Sequence, residues 1–333
     1  MAAKARDAVL VTRRLPEQAM ARIAAQCDLD LWQGEGAMPR PELLRRAVGK
    51  RGLVTLLTDR VDGELLGAAG PGLRIVANYA VGYDNIDLEA CGERGVLVAN
   101  TPDVLTESTA DMAWALMLAA ARRVCEGDRF VRSGQSWIWD PRMMLGWDLH
   151  HKVLGLVGFG RIAQAVARRA LGFSMRVVYA SRTAAPPGVE AELRARRLGL
   201  DELLVEADAV SIHVPLTPQT RHLIGPSELR RMKPTAVLVN TSRGPVVDEL
   251  ALAKALRSGE IFAAGLDVYE REPEVAPQLL ELPSVVLAPH LGSASVETRL
   301  AMGMLAADNL LAALQGRCPP TLLNPEVWRR QGT

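Results

Sequence analysis

Along residues 8–101 short apolar runs alternate with amphipathic stretches, which predicts strands joined by crossover helices. AVLVTRR, DLDLW, GLVTLL, LRIVANYA and VLVANT read as strands, with PEQAMARIAAQ and PELLRRAV as helices between them. That alternation implies a parallel sheet. TESTADMAWALMLAAARR at 106–123 predicts a long apolar helix with Ser and Thr placed to cap it. A second strand–helix series opens at KVLGLVGFGRIAQAVARRAL and runs through RVVYA, AVSIHV, AVLVNTS, FAAGLDVY and VVLAPH. The closing helix is expected in VETRLAMGMLAADNLLAALQG at 296–316. A C-terminal segment that returns to the first domain would make the domains discontinuous, with two crossovers and a cleft between them.

A chain of 333 residues exceeds the size at which one core keeps growing, so two domains are expected. With 39 basic and 38 acidic residues the net charge is +1, which gives no drive toward nucleic acid or an anionic membrane. Cys27, Cys91, Cys125 and Cys318 are widely separated, so they read as buried thiols of a reducing compartment rather than a disulfide framework or a metal site. The start MAAKARDAVLVTRRLPEQ lacks the hydrophobic region of a signal peptide, and the apolar run Met112–Ala121 is too short to span a bilayer. These features predict a cytoplasmic protein.

Gly158, Phe159, Gly160, Arg161, Ile162 and Ala163 form a G-x-G-x-x-A fingerprint between the strand VLGLV and the helix RIAQAVARRAL. Glycines there allow a tight turn and close backbone approach to a pyrophosphate, which then sits at the helix N-terminus. The next strand, RVVYA, ends at Ser181, Arg182 and Thr183, where an NAD enzyme usually carries an acid for the ribose 2′-hydroxyl. A guanidinium beside two hydroxyls suits a 2′-phosphate instead, so NADP(H) is favoured and NAD(H) stays open.

Three segments, NTSRGPVVDE, LDVYEREP and LAPHLGSAS, each follow a strand-like run and carry Arg243, Glu272 and His290. An arginine that grips a carboxylate and a histidine that a carboxylate can hold and charge are the groups needed to reduce a 2-oxo acid. His150, His151, His213 and His222 show no charged partner in the sequence and read as surface or packing histidines. Glu270 and Glu274 read as solvated acids beside Glu272. The tryptophan-rich loop SGQSWIWDPRMMLGWDL at 133–149 admits two readings: interface packing, or a Trp139 that closes the substrate pocket of a partner subunit.

The chain resembles the D-isomer-specific 2-hydroxyacid dehydrogenases, within them the glyoxylate/hydroxypyruvate reductases. The motifs LLTDRVD, LRIVANYAVGYDNIDLEAC, NTPDVLTESTADMAWAL, VGFGRIA, VPLTPQTRHLI, NTSRGPVVDE, LDVYEREP, PHLGSAS and PPTLLNPEV carry that resemblance over nearly the full length. It implies an α/β fold of two Rossmann/flavodoxin-like parallel-sheet domains with the active site in the cleft between them. Residues 1–102 and 297–333 would form the substrate-binding domain and 103–296 the dinucleotide-binding domain, in a homodimer built around the cofactor domains.

The implied activity is NAD(P)H-dependent reduction of glyoxylate or hydroxypyruvate to glycolate or D-glycerate. Arg243 would hold the substrate carboxylate and carbonyl, His290 would protonate the carbonyl, and Glu272 would keep the imidazole charged. Amides of Val81 and Gly82 would hold the other side of the carboxylate. For the cofactor the resemblance implies Asp267 at the nicotinamide end and His213, Val214, Pro215 and Thr241 along the nicotinamide ribose and ring. Thr109, Thr220, Ser242, Arg243, His290 and Gly292 complete the expected contacts, with no metal. Rival expectations are a related dehydrogenase acting on 2-keto-gluconate or phosphite, and a non-enzymatic NAD-sensing corepressor of the same fold.

Overall fold

The computed structural model describes residues 6–331 as two compact units, one of residues 6–105 with 294–331, the other of 106–293. In the first unit, β1 (Ala8–Val11), β2 (Asp28–Leu31), β3 (Gly52–Thr55), β4 (Ile75–Asn78) and β5 (Leu97–Ala99) form one sheet. Its order is β2-β1-β3-β4-β5, and every pairing is parallel. The inner strands β3 and β4 are buried along their whole length, the mark of a parallel sheet covered on both faces. Edge strand β2 is only half-buried, which is why Asp28 and Asp30 are tolerated in it. The closing helix Val296–Leu314 packs on the helix Glu17–Ala24 and on β3 and β4, where Leu310 lies so near Gly52 that a Cβ there would meet its side chain at 2.6 Å.

The second unit begins with the helix Thr106–Ala121 and the helix Val124–Arg132. Its strands are β6 (Val153–Val157), β7 (Arg176–Ala180), β8 (Ala195–Arg197), β9 (Ala209–Ile212), β10 (Val237–Asn240), β11 (Ala263–Leu266) and β12 (Val285–Leu287). They form a seven-stranded parallel sheet in the order β12-β11-β10-β9-β6-β7-β8. The reversal of direction falls between β9 and β6, the switch point at which open α/β sheets keep their ligands. Apolar clusters cover both faces, one built around Leu154, Leu156 and Val239, the other around Leu238, Ile212 and Leu266.

Several features differ from the sequence reading. Strand β8, ARR, has no apolar run to announce it and forms because it completes the sheet edge beside β7. The helix Thr106–Ala121 packs on β10, β11 and the helix Arg161–Gly172, and its Ser108 hydroxyl donates to the Gly292 carbonyl. Only Cys27 and Cys91 are buried, whereas Cys125 is half-buried and Cys318 exposed; all four are free thiols. No helix among the described residues is long and apolar enough to cross a membrane.

Candidate active site

In the second unit the loops after β6, β7, β9, β10, β11 and β12 carry most of the polar groups singled out from that part of the sequence, because parallel strands all end on one edge of their sheet; Thr109 comes instead from the helix Thr106–Ala121. Asn240, wholly buried at the end of β10, organises the arginine turn. Its Oδ1 accepts the amide and hydroxyl of Ser242, both at 3.0 Å, and its Nδ2 donates to the Arg243 carbonyl at 2.9 Å. Gly244 follows because no side chain fits: a Cβ would lie 1.8 Å from the Tyr269 carbonyl carbon and 2.4 Å from the Glu270 nitrogen. The Arg243 turn is thereby pressed against the loop that carries Glu272.

Glu272 bridges that loop to His290. Its Oε1 accepts the Tyr269 amide at 3.1 Å, and its Oε2 lies 2.8 Å from His290 Nδ1. Burial works against the Glu272 charge, but the hydrogen bond and charge of His290, the Tyr269 amide and the charge of Arg243 outweigh it and hold the carboxyl below its ordinary range. An ionised carboxylate only accepts, so Nδ1 carries the hydrogen and Nε2 is left for chemistry.

His290 has φ 57°, a left-handed conformation uncommon outside glycine. Two sets of bonds hold it there. Its amide donates to Asp267 O at 2.9 Å and Ala288 O at 3.2 Å, and the next two amides, Leu291 and Gly292, donate to the Asp267 carboxylate at 2.6 and 2.7 Å. Burial raises the Asp267 carboxyl, partly offset by these two amides and by the charge of His290. Asp267 therefore anchors the turn after His290, a role its spacing in the sequence did not suggest. Thr109 packs against the same turn, its Cγ2 3.3 Å from the position of a Cβ on Gly292.

The fingerprint behaves as two different glycines. Gly158 has φ 91°, and a Cβ on it would meet the His213 carbonyl at 2.7 Å, so the fold itself requires glycine. Gly160 has nothing within 4 Å of a Cβ, and it precedes the helix Arg161–Gly172, which has no side-chain cap and no acid in its first turn. Open space in front of uncapped first-turn amides is what a pyrophosphate needs, so the residues present fit a dinucleotide. Thr241 Oγ1 adds a buried hydroxyl with no hydrogen-bond partner among the described residues. Ala163 is wholly buried in the core, and Phe159 stacks on Tyr179 with centroids 3.9 Å apart. Arg161 is exposed and Ile162 half-buried.

Ser181, Arg182 and Thr183 form a surface turn, and its frame is a residue the sequence reading passed over. Arg197 in β8 donates to the carbonyls of Ser181 and Arg182, both at 2.8 Å from its terminal nitrogen. His213 follows β9, its Nε2 2.8 Å from Ser211 Oγ, and burial pushes its imidazole down to about 3, leaving it neutral. Val214 and Pro215 continue that loop, closed by the Thr220 hydroxyl on Pro215 O at 2.6 Å. In the first unit, the carbonyls of Val81 and Gly82 accept from Asn100 and Asn78 at 2.8 and 2.9 Å, which orients the 81–82 and 82–83 peptide planes and, with the first, the Gly82 amide.

Two expectations are corrected. His222 has a charged partner, Glu270 Oε2 at 3.1 Å, and Glu270 is half-buried rather than solvated because its other oxygen accepts the Glu249 amide at 3.0 Å. Neither contact leaves a local sequence signal, since the partners lie 48 and 21 positions apart.

Residues 114–292 match the family model described as D-isomer specific 2-hydroxyacid dehydrogenase, NAD binding domain. A glyoxylate reductase of Thermococcus onnurineus is 52% identical over 324 residues, covering 96% of each chain. Among solved structures, a glyoxylate reductase from Paecilomyes thermophila is 33% identical with a TM-score of 0.86, covering 96% of this chain and 99% of that one. An NADPH-dependent glyoxylate/hydroxypyruvate reductase of Sinorhizobium meliloti, with NADP and malonate, is 33% identical with a TM-score of 0.82, covering 96% and 97%. The chain belongs to the D-isomer specific 2-hydroxyacid dehydrogenase family. It is an oxidoreductase with a Rossmann-type domain for a pyridine nucleotide, which sets aside the corepressor alternative.

Proposed function

We propose that the enzyme reduces glyoxylate and hydroxypyruvate to glycolate and D-glycerate, with NADPH preferred over NADH. The observation that carries this reading is the Glu272–His290 pair beside the Arg243 turn, at the ligand edge of the dinucleotide sheet. A reduced nicotinamide supplies the hydride. As the carbonyl becomes an alkoxide, His290 Nε2 gives it a proton, Glu272 offsets the imidazolium charge, and Arg243 holds the carboxylate and the developing oxyanion. In the first unit, the Val81 and Gly82 amides are our candidates for a second hold on the carboxylate. The names of these relatives support small substrates over 2-keto-gluconate or phosphite.

For the domain roles, we assign 1–102 with 297–333 to substrate and 103–296 to the dinucleotide. The cofactor residues are those of the fingerprint, Thr109, Ser181 to Thr183, His213 to Pro215, Thr220, Thr241 to Arg243, Asp267, His290 and Gly292. Asp267 can serve both the turn and a nicotinamide amide because each carboxylate oxygen has two lone pairs. Steady-state rates for glyoxylate, hydroxypyruvate and bulkier 2-oxo acids with each cofactor test the proposal. Arg182→Ala should raise KM for NADPH by about tenfold or more while leaving NADH nearly unchanged, because a charge-assisted bond to the 2′-phosphate is lost. Equal effects on both cofactors would remove the NADP preference.

The four free thiols fit a reducing compartment, and we take it to be the cytoplasm. We further propose a homodimer; the exposure of Trp137 (57%), Ile138 (89%) and Trp139 (76%), a run of apolar surface, supports a covering partner. If Trp139 closes the partner's pocket, Trp139→Ala leaves KM for NADPH unchanged and shifts kcat/KM toward bulky 2-oxo acids. Dissociation with uniform loss on all substrates would instead make Trp139 interface packing.

A further inference from the structure

Glu249 is a carboxylic acid with 6% of its surface exposed, at the first position of the helix Glu249–Ser258, which Asp248 already caps. Its carboxylate accepts the Glu270 amide at 2.6 Å, and the Ala276 backbone lies close enough to favour its charge. In return Glu270 accepts the Glu249 amide, a first-turn N–H with no partner inside its helix. Two reciprocal bonds thus fasten the start of the segment 270–276 to the helix, two residues before Glu272. The helix it starts from follows directly on the Arg243 turn, which the Gly244 contact presses against the same loop.

We propose that Glu249 is a positioning residue for the reduction: it clamps the 270–276 segment so that the Glu272 carboxylate meets His290 Nδ1. The inference rests on the reading of Glu272 and His290 as the proton-delivering pair. Burial, and after it the charge of Glu270, raise the Glu249 carboxyl, and the two backbone amides and the charge of Arg271 work the other way. Placing an acid here costs free energy that a hydrophobic residue would avoid. The short charge-assisted bond to the Glu270 amide is the return, because glutamine would offer that amide only a neutral, weaker acceptor. Other charged groups bordering the segment are His222, on Glu270, and Arg243, His290 and Asp267, around Glu272.

The test compares pH profiles of kcat/KM for glyoxylate reduction with NADPH in the wild type, Glu272→Gln, Glu249→Gln and the double variant, together with NADPH affinity. Glu272 is held ionised and bonds His290 Nδ1, so Glu272→Gln, which removes that negative charge, should move the basic limb to lower pH. Glu249→Gln should move the same limb the same way by a smaller step at unchanged NADPH affinity, and the double variant should match Glu272→Gln alone, since both act through one contact. A limb moved by Glu272→Gln but not by Glu249→Gln, or steps that add in full, would overturn the role of Glu249 and leave the pair intact. An unmoved limb in both removes the reading of the pair and this inference with it. Should Glu249→Gln not fold, Glu270→Ala cuts the reciprocal bond from the loop side; a limb it leaves in place overturns the clamp.

Discussion

Arg243→Ala is expected to lower kcat/KM for glyoxylate by about 10²–10³-fold, the cost of removing one preorganised donor to a developing oxyanion. Cofactor affinity should change less than kcat/KM, because the guanidinium is assigned chiefly to the substrate while the Arg243 backbone lies in the turn assigned to the cofactor. The substitution removes the guanidinium's bond to Ser242 O at 2.8 Å, but Asn240 still bonds the Ser242 amide and hydroxyl and the Arg243 carbonyl, so the turn should keep its shape. Arg243→Lys keeps the charge and loses the fork, so a substantial loss remains. Steady-state kinetics with NADPH held saturating separates the two terms, and near-normal kcat/KM in Arg243→Ala would end the assignment.

His290→Asn should lower kcat by about 10²–10⁴-fold, the range of a positioned general acid, and should abolish the basic limb of the pH profile. Asparagine is the informative replacement. With φ 57° at this position, alanine would add a backbone penalty, whereas asparagine adopts the left-handed region readily. Asp267 continues to bind the amides of Leu291 and Gly292, so the turn keeps its shape. Binding of NADPH, followed by fluorescence, should fall far less than kcat, because His290 is only one of the residues assigned to the cofactor. A variant that retains wild-type kcat with an unchanged basic limb would show that the proton comes from elsewhere.

Local pattern made the two parallel sheets legible, because strands buried on both faces must be continuous apolar runs such as VLGLV and AVLVN, and the helices between them must be amphipathic. The fingerprint was legible too, since a strand, a glycine turn and a helix are neighbours in sequence. So was the trio Arg243, Glu272 and His290, because each stands just past a strand that parallel pairing brings to one edge. Strand β8 was not legible: ARR is a polar edge that exists only by pairing with β7.

Tertiary structure decided the partners. Glu272 and His290 are 18 positions apart, Asp267 and Gly292 25, and Glu249 and Glu270 21, and no periodicity links residues across two strand–loop–helix units. Glu270 looked like any solvated acid, yet its environment came from His222 on one loop and a helix start on another. The sequence by itself determined which groups reach the sheet edge, through strand ends and their turns. Which of those groups meet, and which acid holds the histidine and which holds the loop, depended on distances that only the packed chain sets.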